Sequence, residues 1–320
     1  MTLSRFARRF AALDLGSLTV RLAVAEDAGG GKFRLLVHRR EITGLGQGLA
    51  ATGELAPEGM ARTLDALKTF KQVMAAHDVK VYRAVGTQAL RQARNREVFL
   101  AQVRASLGLA VEVLAPEAEA RLALSGVLSV LAPEVLAAPA VLVFDVGGGS
   151  SEFALVRPGR EPVFASLPLG VLTLSQARPL GDPPIPQKVA ALKKELAARL
   201  SFFYEEAIRP HLGMDPCLAG TAGAVTTLAA MHLQLREYDP HKINNLNLTR
   251  TQVAALADLM ARLPEADRAG LAGIEPAKAG VMVAGALIVL TILAVCRQDS
   301  LVVIDAGLLE GVLYELAGKL

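Results

Sequence analysis

The chain has 320 residues, of which 34 are basic and 31 acidic, a formal net charge of +3, and 52% of it is hydrophobic. That length accommodates two domains with ample core, and a near-neutral balance without a basic tract argues against a dedicated nucleic-acid binder. Trp is absent, and the only cysteines, Cys217 and Cys296, lack Cys or His companions at metal spacing, which argues against a disulfide framework and a zinc site.

The start of the chain, residues 1–9, is basic, but Asp14 interrupts the apolar run that follows. That run is too short for a secretory signal, so the protein is read as cytoplasmic. Apolar patterning predicts strands near 11–13, 20–25 and 33–39, then a helix over 57–77. A strand at 80–85, a helix over 95–107, a short strand at 111–114 and a helix over 117–131 follow. Within this stretch Arg91, Arg94 and Arg96, with Arg83, could form a local anion patch. The Pro-rich stretch 132–139 reads as a connector. A strand-turn-strand begins at Val141, and the half after it reads as mainly helical, with a loop over 179–186 and a long helix over 187–211. That helix could serve a homodimer interface or the core. The stretch 279–296 carries no charge and is just long enough to span a bilayer. It is laced with Ala and Gly and lacks flanking aromatic belts, so it reads as a buried helix of a protein without membrane spans. A strand at 301–304 and a helix over 308–316 end the chain. Such alternation defines an α/β fold with a sheet in each half.

Two of these stretches share one plan. Ala12-Leu13-Asp14-Leu15-Gly16-Ser17-Leu18-Thr19-Val20-Arg21 and Val143-Phe144-Asp145-Val146-Gly147-Gly148-Gly149-Ser150-Ser151-Glu152 each run from an apolar strand through Asp and a Gly/Ser turn into a second strand. Glycine lets such a turn approach a ligand closely and direct successive backbone N–H groups at it, while Ser and Thr hydroxyls add donors. A lone turn of this kind is an ordinary hairpin, whereas two in matching form read as a duplicated anion loop. Neither copy enters a helix, which excludes the Walker and dinucleotide signatures. A third Gly-rich stretch, Gly220-Thr221-Ala222-Gly223, does precede a helix, whose N-terminus favours anions.

Together with Gly86-Thr87-Gln88-Ala89-Leu90-Arg91-Gln92-Ala93-Arg94-Asn95, Glu117-Ala118-Glu119-Ala120-Arg121 and the ending Gly307-Leu308-Leu309-Glu310-Gly311, these stretches resemble the exopolyphosphatase/guanosine pentaphosphatase (Ppx/GppA) family over nearly the whole chain. The resemblance implies an α/β fold of two RNase H-like (actin-like ATPase) domains, 1–122 with 306–320 and 123–305, with phosphates bound in an interdomain cleft. It implies hydrolysis of a terminal phosphoanhydride of polyphosphate or guanosine pentaphosphate, a polyanionic substrate. Carried over by position, Glu119 is the general base, a task that suits a carboxylate whose burial raises its pKa toward neutrality. A surface helix Glu beside Arg121 is the plain alternative. Asp145 and Glu152 match the carboxylates that hold Mg²⁺ or another divalent cation, hard oxygen ligands of the right kind; a simple ion pair of Glu152 is its alternative. Asp14 would position the water or the cation. Phosphate contacts fall to Gly16, Ser17, Thr19, Arg91, Arg94, Gly147, Gly148, Gly149, Ser150, Ser151, Gly220, Thr221 and Gly223. Arg21 reads equally well as a structural ion-pair partner.

The chain departs from the family pattern at Leu18 and Thr19, where Asn and Ser are usual, and at Ala224, Lys278, Gly280, Leu309 and Asn244-Asn245. None of these touches Glu119, Asp145 or Glu152. They thin out the contacts to a polyanion, so two alternatives stay open: a weakly active or non-catalytic sensor of polyphosphate or an alarmone, and a sugar or carboxylate kinase of the same superfamily.

Overall fold

A computed structural model describes residues 8–29 and 32–319. The reading of residues 1–9 as no secretory signal therefore falls almost wholly outside the described residues. The chain divides into two compact units, Met1–Gly126 with Gly307–Leu320, and Val127–Ala306.

The first unit holds a five-stranded sheet of β1 (Arg9–Leu15), β2 (Thr19–Gly29), β3 (Lys32–Ile42), β4 (Val81–Gly86) and β5 (Val111–Val113), in the order β3-β2-β1-β4-β5. The first three strands are antiparallel neighbours, and β4 and β5 add in parallel. Side chains alternate across a strand, and β1 is apolar on both faces. Ala11, Leu13 and Leu15 pack toward α1 (Pro57–Ala76) and α3 (Arg96–Leu107), against Leu67, Phe70, Phe99 and Val103. Phe10 and Ala12 meet Leu122 of α4 (Pro116–Leu128) and Leu309, Val312 and Leu313 of the chain's last helix. The short α2 (Gln88–Gln92) follows β4 directly. Each fully buried Leu or Phe contributes about 1.5–3 kcal/mol, so the two-sided core holds β1 and the turn at its end in place.

The second unit repeats the plan with β6 (Val141–Val146), β7 (Ser151–Arg157), β8 (Arg160–Leu167), β9 (Cys217–Thr221), β10 (Leu246–Thr249) and β11 (Ser300–Val303), ordered β10-β11-β9-β6-β7-β8. Its helices include α5 (Val171–Ala177), α6 (Pro186–Phe203), α7 (Ala222–His232), α8 (Arg250–Ala261) and α9 (Met282–Val295). The uncharged run expected to be buried is α9. At about 1.5 Å per residue its 14 residues fall short of a bilayer's hydrocarbon core. No helix among the described residues is long and apolar enough to cross a membrane. The chain then returns to the first unit as α10 (Leu308–Lys319). Gly311 of α10 lies against the backbone of Leu122, and Gly126 of α4 against that of Gly307, so a Cβ at either glycine would force the two helices apart.

Several elements differ from the sequence reading, β9 and β10 among them, which lie in a half read as mainly helical. The helix expected over 187–211 leaves α geometry after Phe203, continuing as a π turn (Tyr204–Ile208) and a 3-10 turn (Arg209–His211). Pro210 lacks the N–H that an α-helix needs there and crowds the preceding turn. The connector 132–139 contains one helical turn, Pro133–Leu136. Strand β8 escapes the periodicity argument because it lies at the sheet edge, where Pro162 is tolerated and only one neighbour constrains the pattern.

Candidate functional site

Each of the two Gly turns closes on the same hydrogen bond. The Gly16 N–H donates to Thr19 O at 3.0 Å, and the Gly147 N–H donates to Ser150 O at 3.0 Å. A Cβ on Gly16 would stand 2.9 Å from Thr19 O, so the first turn requires glycine. Both turns are clamped from behind. In the first, Thr43 and Gly44 N–H groups donate to Leu18 O, and the Gly46 N–H donates to Ser17 O at 2.8 Å. In the second, the first turn of α5 consumes the loop carbonyls: Val171 N–H donates to Gly147 O, and Leu172 and Thr173 N–H groups donate to Gly148 O. With their carbonyls occupied in this way, the turns have fixed shapes, the preorganisation an anion site needs. Gly170 packs so tightly on Gly148 and Gly149 that no Cβ fits there.

The strands flanking each turn set up a row of side chains on one sheet face. In the first unit the row runs Asp14, Arg21, Arg40 across β1, β2 and β3. Asp14 is 3% exposed. Its Oδ2 accepts from Arg21 Nε at 2.9 Å and Nη2 at 2.6 Å, while its Oδ1 is buried without a partner. In the second unit the row runs Thr221, Asp145, Glu152, Ser166 across β9, β6, β7 and β8. Glu152 accepts from the Ser166 hydroxyl at 3.1 Å. The residue opposite the aspartate therefore differs in sign between the two hairpins, Arg21 in the first and Glu152 in the second. The first hairpin neutralises its aspartate with Arg21. The second places two carboxylates directly opposite each other, an arrangement that repels unless a cation lies between. Among the described residues no cluster of three or more His, Cys, Asp or Glu could hold a metal. A carboxylate pair alone suits a hard cation that keeps water and phosphate oxygens in its shell.

Glu119 lies in the first turn of α4, its N–H donating to Ala115 O. Its carboxylate accepts from Arg91 Nη1, and the two side chains are 14% and 15% exposed. Arg91 also donates to Leu114 O at 3.0 Å and, through Nη2, to Gln88 Oε1 at 3.1 Å.

The other expected residues divide between loops and scaffold. Ser151 is fully buried and spends its hydroxyl on Leu169 O at 2.6 Å, and the buried Thr221 spends its own on Ala306 O at 2.6 Å. Ser17 and Ser150 are buried in their turns. Gly220 lies at the end of β9, close-packed on Phe144 and Leu301. Gly223 opens α7, whose cap residue Thr221 makes no side-chain capping bond. Arg94 turns outward, 71% exposed, donating to Thr52 O at 2.8 Å and pairing with Glu54. The arginines read as a candidate anion patch are each committed: Arg83 to Glu112 and Glu315, Arg91 to Glu119, Arg94 to Glu54 and Arg96 to Glu97. The Glu112 hydrogen bond pushes the Arg83 guanidinium above its ordinary range.

Sequence reasoning missed several neighbours of these loops. Lys278 is 4% exposed, pairs with Glu275, and its Nζ lies 3.5 Å from where a Cβ of Gly223 would stand. Gly170 and Thr173 clamp the second turn, and the segment 43–46 clamps the first. The glycines at 44, 46 and 48 were the available signal for that segment.

Two mixed α/β units, each built around a hairpin with a clamped glycine turn and an acidic residue at the end of its first strand, define a protein of the actin-like ATPase fold. A profile of the Ppx/GppA phosphatase family matches residues 23–320, and the chain belongs to that family. It is 35% identical to exopolyphosphatase 2 of Mycobacterium tuberculosis, over 97% of this chain and 99% of that protein. It is 26% identical to a guanosine-5'-triphosphate,3'-diphosphate pyrophosphatase of Photobacterium profundum, over 97% of this chain and 60% of that one. The crystal structure of the Aquifex aeolicus Ppx/GppA family member aligns with a TM-score of 0.79 at 33% identity, covering 98% of each chain. That of an exopolyphosphatase from Cytophaga hutchinsonii aligns with a TM-score of 0.88 at 25% identity, covering 98% of this chain and 99% of the other.

Proposed function

We propose that this chain is a divalent-cation-dependent hydrolase that removes the terminal phosphate of inorganic polyphosphate or of guanosine pentaphosphate. The observation that carries the reading is the register of Asp145 opposite Glu152 beside a clamped glycine turn. Two carboxylates so placed are the residues that would hold Mg²⁺, which supplies neutralising charge to phosphate oxygens. Within the second unit the backbone N–H groups of the turn, and within the first unit Arg91, are groups suited to phosphate charge, since phosphoryl transfer asks chiefly for positioning and charge stabilisation. Glu119 takes a proton from water as the water oxygen bonds to the terminal phosphorus. The bridging P–O bond breaks, and the shortened chain leaves with the electron pair.

Phosphate release from long-chain polyphosphate and from guanosine pentaphosphate, with and without Mg²⁺, tests the reading. Replacing Glu119→Gln is expected to lower release by about 10²- to 10⁴-fold, the usual contribution of a general base. Full activity in that variant would remove Glu119 from the mechanism. The pairing of Glu119 with Arg91 favours a second reading, a sensor that binds the same anions without turnover; binding without release from either substrate would select it.

A further inference from the structure

The residue expected to bind phosphate and the residue expected to act as base are bonded to each other. A guanidinium has five N–H donors. Arg91 directs Nη1 at Glu119 and Leu114 O, and Nη2 at Gln88 Oε1. Among the described residues its Nε–H and second Nη2–H have no protein acceptor, and neither has the amide NH₂ of Gln88. These donors belong to, or lie next to, a side chain that is 15% exposed. A phosphate oxygen taking them would arrive beside the Glu119 carboxylate. Two anions that close on one cation repel, and the less strongly held one leaves. Leu114 O and Gln88 Oε1 carry no net charge, so they keep the guanidinium in place while its anionic partner changes.

We propose that Arg91 holds Glu119 in the free protein and exchanges it for a phosphate group of the substrate, so that the substrate's own charge releases the base, with Gln88 as the positioning residue that anchors Arg91 during the exchange. This rests on the reading of Glu119 as base. The ligand class is a phosphate anion able to take the fork of the guanidinium. Water is then activated only when a phosphate occupies Arg91.

The exchange makes Glu119 a competitor of the substrate, which a binding cycle detects. The probe is imidodiphosphate with Mg²⁺, whose bridging nitrogen resists hydrolysis, titrated calorimetrically into four forms: the unaltered chain, Glu119→Gln, Arg91→Ala and the double variant. Glu119→Gln is expected to bind about tenfold more tightly than the unaltered chain, the order of one charge-assisted hydrogen bond released from competition. In the Arg91→Ala background the same change is expected to alter affinity less than about twofold, because no shared cation remains. Equal tightening in both backgrounds means a general field effect and overturns the proposal. Unchanged or weaker binding by Glu119→Gln marks the pair as scaffold and overturns it too, as does absence of binding by all four forms. Should Arg91→Ala fail to fold, Arg91→Lys serves as the background, where a point charge without the fork is expected to leave tightening of about threefold or less. Gln88→Leu is expected to raise KM several-fold at similar kcat; an unchanged KM removes Gln88 from the proposal. Full hydrolysis by Glu119→Gln would instead sink the base assignment, a result separate from the binding cycle.

Discussion

Removing Arg21 isolates the electrostatics of the first hairpin. In Arg21→Met, Asp14 loses both hydrogen bonds to Oδ2, at 2.9 and 2.6 Å, and its Oδ1 already lacks a partner. The aspartate side chain is 4% exposed, so water does not replace them. Breaking a buried pair by deleting one member costs about 3–5 kcal/mol. The Arg21 side chain is 26% exposed, which admits some solvent and places the expected loss at the lower end, about 3 kcal/mol. Asp14→Asn leaves a guanidinium that solvent reaches and is expected to cost about 1 kcal/mol. The double variant Asp14→Asn, Arg21→Met carries no buried charge and is expected to recover to within about 1 kcal/mol of the unaltered chain. Urea unfolding gives the midpoints, and hydrogen exchange at β1 and β2 amides assigns the loss to this sheet. A cost below about 1 kcal/mol for Arg21→Met, or a double variant no more stable than that single one, would refute the argument from burial.

Glu152→Gln keeps the shape and the Ser166 contact but removes one of two facing charges; metal-free stability is expected to rise by about 0.5 kcal/mol while the Mg²⁺ concentration for half-maximal phosphate release rises at least about tenfold. A fall in metal-free stability in thermal melts would count against like-charge repulsion in this row. Gly170→Ala inserts a methyl into the backbone of Gly148 and Gly149; the displaced second turn is expected to lower phosphate release by about 10²-fold and stability by about 1–3 kcal/mol, and normal kinetics would show the turn to be pliant. Burial pushes the Cys296 thiol from an ordinary 9.0 to about 12 and the Tyr204 phenol from 10.0 to about 12. Both groups favour their neutral forms on folding, so their stabilisation is complete below about pH 9 and is lost as pH rises from 9 to 12, by up to about 1.4 kcal/mol per pH unit for each group titrating. Urea midpoints that stay flat from pH 9 to 11 would contradict this, as would rapid reaction of Cys296 with a thiol reagent at pH 8 in the folded protein.

Much of this protein is local and therefore legible in its sequence. The glycine turns require backbone approaches that no side chain permits, and the short continuous apolar runs beside them, bounded by the turns, mark strands. The likeness of Asp14 with its turn to Asp145 with its turn announces two hairpins of one design, and the hairpin closing bonds at Gly16 and Gly147 follow that design. What the sequence leaves open is which distant groups meet. Arg91 and Glu119 stand on separate helices, and β4, β5 and the intervening α3 must pack before their charges come together. The hydroxyls of Ser151 and Thr221 look alike in a motif to those of any phosphate loop, yet packing directs both to backbone carbonyls. Arg94 lies three residues from Arg91, but α2 ends between them and sends its side chain to Glu54. Local periodicity encodes an element and its buried face, because those depend on neighbours in the chain. The partner of a charged side chain is chosen by burial and by competition among many acceptors, and only the folded sheet and its helices decide that competition.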